Sequence, residues 1–142
     1  MKPTAFISGH LDLTEAEFKE CYYNEIYNAV MLGHNIIIGA AKGCDRMAQE
    51  MLAKFCKPLG PGENTVVVFH MFYEPRNNAG NFVTWAGFTS DKERDEYMTQ
   101  QSTYDLAWVR LGRENSGTAS NIKRRSEQNF ENRKEAALRT FC

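Results

Sequence analysis

Apolar positions along this chain fall into two alternating patterns. Short runs on consecutive positions, at Thr4 to Ser8, Ile36 to Ile38 and Thr65 to Met71, read as strands covered on both faces, the mark of a parallel sheet. Between them the spacing turns helical. Thr14 with Glu17 three residues on forms a capping box, and Phe18, Tyr22, Ile26, Ala29 and Val30 make one buried stripe that Gly33 ends. Met47, Ala48, Met51, Leu52 and Phe55 make a second stripe, on a helix that opens at Asp45 with that carboxylate as its cap.

The second half is less regular. Lys57 to Asn64 carries two prolines and two glycines and reads as a loop. Phe72 to Thr89 keeps no period and is broken by Pro75, Gly80 and Gly87. A connection that long is usually functional, and Tyr73, Phe82, Trp85 and Phe88 make it a lid or pocket wall with rings available to stack on a base. Ser90 opens an acidic helix, Tyr104 to Arg110 is a fourth strand, and Gly112 to Thr118 is a turn rich in small residues. From about residue 119 the chain is polar and helical, with sparse apolar positions at Ile122, Phe130, Ala137 and Leu138.

This alternation predicts one α/β domain over residues 1–142: a Rossmann-like parallel sheet of about four strands in the order 3-2-1-4, with helices on both faces. That order brings the ends of the first and fourth strands together, and ligands bind in the crevice so formed. Three loops should meet there: Ser8-Gly9-His10, the turn from Gly39 through Ala40, Gly43 and Cys44 to Asp45, and Ser116-Gly117-Thr118. The central turn is the organising stretch. Its glycines let a ligand approach the backbone, and amides beside a helix start suit a phosphate, so the expected ligand is a nucleotide or a relative.

Composition narrows the partners. The net charge is -1 and 42% of residues are hydrophobic, so nothing draws the whole chain to nucleic acid or an anionic membrane. The basic cluster Lys123-Arg124-Arg125 reads as a solvated helix face, and nucleic acid is not an expected partner. No stretch reaches the roughly 20 apolar residues of a membrane span, and the first residues lack the apolar core of a secretory signal, so a cytoplasmic protein is expected, as a homo-oligomer. Cys21, Cys44, Cys56 and Cys142 form no metal-binding pattern and read as free thiols. Cys44, at a helix start, is the one placed to be reactive, although a small residue fitting the turn explains it better. His34 and His70 read as structural, and neither a metal site nor a cofactor is implied.

FISGH at the first strand's exit, IIIGAAKGCDRMAQEML, and ERDEYM followed by YDLAWVR and NSGTASN together resemble the SLOG superfamily. That Rossmann-like group contains DprA, the Lonely Guy phosphoribohydrolases and the YspA-like proteins, and the match spans about residues 4 to 125. The resemblance implies a pocket for nucleotides or nucleotide-derived small molecules. It puts Arg94 where the Lonely Guy enzymes have the arginine of their RK pair, with Asp95 in place of the lysine. Ser116, Gly117 and Thr118 fit the phosphate turn, Ser116 standing for a glycine. Asn121 occupies the position of the hydrolases' glutamate, and an amide cannot replace a carboxylate as base or as oxocarbenium stabiliser.

Two functions compete. One is cleavage or exchange of a nucleotide's N-glycosidic bond, with Asp45, Arg94 and Asp95 as catalytic candidates and Glu93 and Glu114 behind them. The other is a sensor or sequestering protein that binds a nucleotide signal without changing it.

Overall fold

The computed structural model describes residues 2–56, 65–71 and 74–141, with residues 134–141 described by backbone alone. The Lys57 to Asn64 loop, Tyr73, Cys142 and the side chains of Ala137 and Leu138 lie outside the described residues.

The elements run β1 (Thr4–Ile7), α1 (Glu15–Cys21), α2 (Tyr23–Met31), β2 (Asn35–Ile38), α3 (Cys44–Phe55), β3 (Val66–Met71), β4 (Val83–Phe88), α4 (Asp91–Gln101), β5 (Tyr104–Leu106) and α5 (Gly117–Phe141). All strand pairs are parallel. Successive residues of the inner strands enter opposite cores, as the two-residue period of a strand demands. Ala5, Ile7, Ile36, Ile38, Val66 and Val68 pack with residues of α1, α2 and α3 on one face. Phe6, Ile37 and Phe69 pack with Met98 of α4 and Phe88 on the other.

Among the described residues the sheet has five strands in the order β4-β3-β2-β1-β5, so both the strand number and the full order differ from the four-strand expectation. The additional strand, β4, comes from the stretch read as a structureless lid. It pairs with β3 from Val67↔Val83 to Met71↔Phe88 with an irregularity between Phe69 and Met71. As an edge strand it is exposed at every position but Phe88, so it carries no apolar pattern to find. Its described rings pack against the protein rather than form a lid. Phe82 is buried in the first core, and Trp85 lies flat on Phe69 at 5.7 Å between centroids and packs against Tyr97.

Three other expectations are revised. The first helical stripe is two helices, because the chain bends at Tyr22 (φ −124°, ψ −37°), which ends α1 and begins α2; the Thr14–Glu17 capping box is present. The fourth expected strand stops at Leu106, beyond which the Trp108 and Arg110 amides bond to the Tyr22 hydroxyl and the His10 ring instead of a neighbouring strand. The C-terminal segment is one continuous helix from Gly117. On it Arg125 is not solvated: it is buried, donating to the carbonyls of Thr99 and Ser102 and paired with Asp105 at 3.2 Å, so it docks α5 on α4 and β5.

Candidate functional site

A cleft of about 300 Å³ opens at the C-terminal ends of β1 and β2, walled by α4 and the start of α5. From β1 the chain continues toward β2, β3 and β4 on one side, while β5 lies on the other, so the cleft sits where the strand order reverses, at the usual ligand position of open α/β sheets.

The β1 exit supplies Ser8, Gly9 and His10 to its wall. The Ser8 hydroxyl is buried with no hydrogen-bond partner, a costly state that a ligand would relieve. Gly9 serves packing: a Cβ there would lie 2.5 Å from the Cys44 side chain. His10 Nε2 accepts the Arg110 amide at 2.9 Å, which leaves the ring proton on Nδ1. Burial, then Arg113 and Arg110, hold its pKa below the ordinary value of 6.5, so the ring is neutral at pH 7. The loop after β5 is strapped down beside it. Arg110 grips Glu17 at 2.7 and 2.9 Å and reaches Asp12 at 3.1 Å, and this hydrogen-bonded guanidinium lowers the Glu17 carboxyl to about 2.

The β2–α3 turn departs from expectation. Gly39 and Asp45 line the cleft, but Ala40, Gly43 and Cys44 do not. Gly43 is the N-cap at φ +74°, and a Cβ there would strike the backbone of His10 and Leu11; the protein's own loop occupies the space expected for a ligand. Cys44 is fully buried, its amide donating to His10 O at 3.2 Å. Burial and the neighbouring Asp45 push its thiol well above the ordinary range, which removes it as a nucleophile. Ala40 is buried and faces a smaller neighbouring cleft.

Asp45 is not the helix cap. It sits within the first turn of α3 and folds back to accept the Ala41 amide on Oδ2 at 3.1 Å. Gly39 makes the room, since a Cβ there would lie 2.6 Å from that oxygen. Burial drives the Asp45 pKa up to about 7, opposed by the Ala41 hydrogen bond and Arg94 and helped by Asp95 and Asp91. A carboxyl titrating near neutrality inside a cleft can hold or release a proton at working pH.

Ser90 caps α4 through the Glu93 amide, and the first turns of α4 present Asp91, Arg94 and Asp95 to the cleft. Arg94 holds Asp95 through Nε at 3.2 Å and Nη2 at 3.1 Å, and reaches Asp91 at 3.5 Å. Burial raises the Asp95 pKa, while Arg94 and a hydrogen bond from Asn121 oppose the rise; Asn121 Oδ1 in turn accepts from Arg124 at 2.7 Å. Glu93 and Glu114 are engaged elsewhere, accepting from Thr89 and from the Gly112 amide, and neither lines the cleft.

At the start of α5 the Ser116 hydroxyl caps the helix by accepting the Ala119 amide at 3.2 Å. The first amides of a helix have no partner within it, and Gly117 faces open space, with nothing within 4 Å of where its Cβ would be. Ser116, Gly117, Thr118 and Asn121 all line the cleft. Sequence reasoning missed Arg76, Arg113 and Asp91 as lining residues. Arg76 lay in the supposed lid, Arg113 inside a turn read only for its small residues, and Asp91 looked like an ordinary first-turn acid.

Among the described residues no group of His, Cys, Asp and Glu is placed to hold a metal ion, and no helix is long and apolar enough to cross a membrane. Comparison of the chain with protein-family models, with curated proteins and with solved structures gives no match.

Proposed function

We propose that this is a SLOG-like protein that binds a nucleotide or nucleotide derivative in the β1/β2/α4/α5 cleft and cleaves its N-glycosidic bond. The observation that carries the reading is the juxtaposition, in one cleft, of an open helix start with the unpartnered Ser8 hydroxyl and a carboxyl whose pKa is about 7. The phosphate rests on the amides of Gly117 and Thr118 with the Thr118 hydroxyl, where the helix dipole favours an anion. Asp45 in its protonated form delivers its proton to the leaving base as the bond from C1′ to the base nitrogen breaks. Asp95, paired with Arg94 at 3.1 Å, faces the positive charge that develops on the ribose and stabilises it in its carboxylate form. Water then bonds to C1′ and surrenders a proton to the Asp45 carboxylate, restoring the acid.

The binding-only reading has its own support. Asp95 is already held by Arg94 and Asn121, and an amide stands at Asn121 where the hydrolases that this chain resembles carry a glutamate. Incubation with a panel of nucleotides separates the two, with free base followed by chromatography and binding by calorimetry. The expected result is release of base, lost in Asp45→Asn while binding persists. Tight binding of an unaltered nucleotide sinks the catalytic reading and leaves the sensor.

A further inference from the structure

A second cleft of about 170 Å³ lies beyond the first, at the ends of β2 and β3, lined by Ala40, His70, Met71 and Glu74 and sharing Ala41, Arg76 and Arg94 with its larger neighbour. The two clefts therefore adjoin, with a pair of arginines at their boundary. These arginines are not equivalent. Arg94 is committed to Asp91 and Asp95, and Arg113 across the larger cleft is committed to Asp12. Arg76 has neither ion pair nor hydrogen bond among the described residues.

Arg76 itself is exposed, but the backbone that follows it is fixed by neighbours. Gln49, fully buried on α3, donates to Gly39 O at 2.9 Å and to Asn77 O at 3.0 Å, and accepts the Ala79 amide at 3.0 Å. Asn77 donates across to Ala40 O at 3.1 Å. These bonds staple the chain around Arg76 to the β2–α3 turn. A buried glutamine using both ends of its amide to fix one loop is a costly arrangement to assemble, and the loop so fixed brings Arg76, which makes no ion pair among the described residues, to the junction of the two clefts.

From this we infer that the ligand is longer than a mononucleotide: a nucleoside diphosphate ester, with a second phosphate against Arg76 and a hydroxyl-bearing group seated in the smaller cleft. Guanidinium is the group best suited to bind a phosphate through paired donors. The smaller cleft offers acceptors for hydroxyl groups: the Glu74 carboxylate, and Nε2 of His70, whose Nδ1 is occupied by Met71 O at 3.2 Å. The inference rests on the nucleotide reading given above.

The test compares AMP, GMP, CMP and UMP with ADP-ribose, GDP-mannose, CDP-choline and UDP-glucose by calorimetry on the full chain. At least one diphosphate ester should bind about tenfold or more tighter than its monophosphate, as expected of one added charge-assisted contact. Arg76→Ala should bring that ratio close to one, and Asn77→Ala, which only loosens the loop, should reduce it. Glu74→Gln should weaken the hydroxyl-rich esters relative to the plain diphosphate ADP. Equal affinities for monophosphates and esters, or a ratio that survives Arg76→Ala, overturns the inference and leaves nucleotide binding intact. Failure of every compound to bind overturns both.

Discussion

The β2–α3 turn and the start of α5 look alike in sequence, each a small-residue turn feeding a helix, yet they do opposite things. At the first, the protein fills its own anion site: the Cys44 amide donates to His10 O, Gly43 packs on the His10–Leu11 backbone, and the one carboxylate in the turn folds back onto Ala41. At the second, Gly117 faces open space and the cleft reaches the helix start. A glycine turn before a helix is therefore an anion site only where its amides are left unspent. In the proposed function the first turn acts through the side chain of Asp45, the second through its backbone.

Substitutions sharpen this contrast. Gly43→Val should have the largest effect, because a β-branched side chain at φ +74° collides with backbone that cannot yield; a loss of roughly 4 kcal/mol or more in denaturant unfolding is expected. Gly117→Ala should leave unfolding nearly unchanged, since its Cβ enters open space. If both variants unfold like the parent chain, the two turns are not different in the way described.

Asp45→Asn comes next and depends on pH. An acid whose pKa rises from 3.8 to about 7 on folding contributes stability that is complete below 3.8 and lost as pH rises through 7, because the folded state holds a proton that the unfolded chain has released. The neutral amide escapes that loss. The variant should exceed the parent by on the order of 2–4 kcal/mol at pH 8, with the gap closing toward pH 4 in urea titrations. A gap that does not change with pH would show that Asp45 does not titrate in this window.

Thr118→Val should have the smallest effect, about 1 kcal/mol in affinity for a phosphate-bearing ligand through loss of one hydrogen bond, with the matching nucleoside unaffected. Equal losses for nucleotide and nucleoside would move the phosphate away from α5.

What the chain determines by itself is its local alternation. Short runs of consecutive isoleucines and valines suit strands buried on both faces, and the stripes at helical spacing supply a cover for each face, so the parallel α/β plan is legible locally, and the meeting of the Ser8, Gly39 and Ser116 loops follows from the strand order which that plan implies. Burial is a property of the assembled molecule, and burial decided the rest. Trp85 and Phe82 look the same in sequence as lid or as packing, and only the pairing of β4 with β3 assigns them. Arg125 reads as surface charge until Asp105 and the end of α4 enclose it. Cys44 and Asp45 are adjacent at a helix start, where both should favour the anion, yet burial raises the pKa of both. Desolvation depends on atoms distant in sequence, and no pattern of spacing contains it.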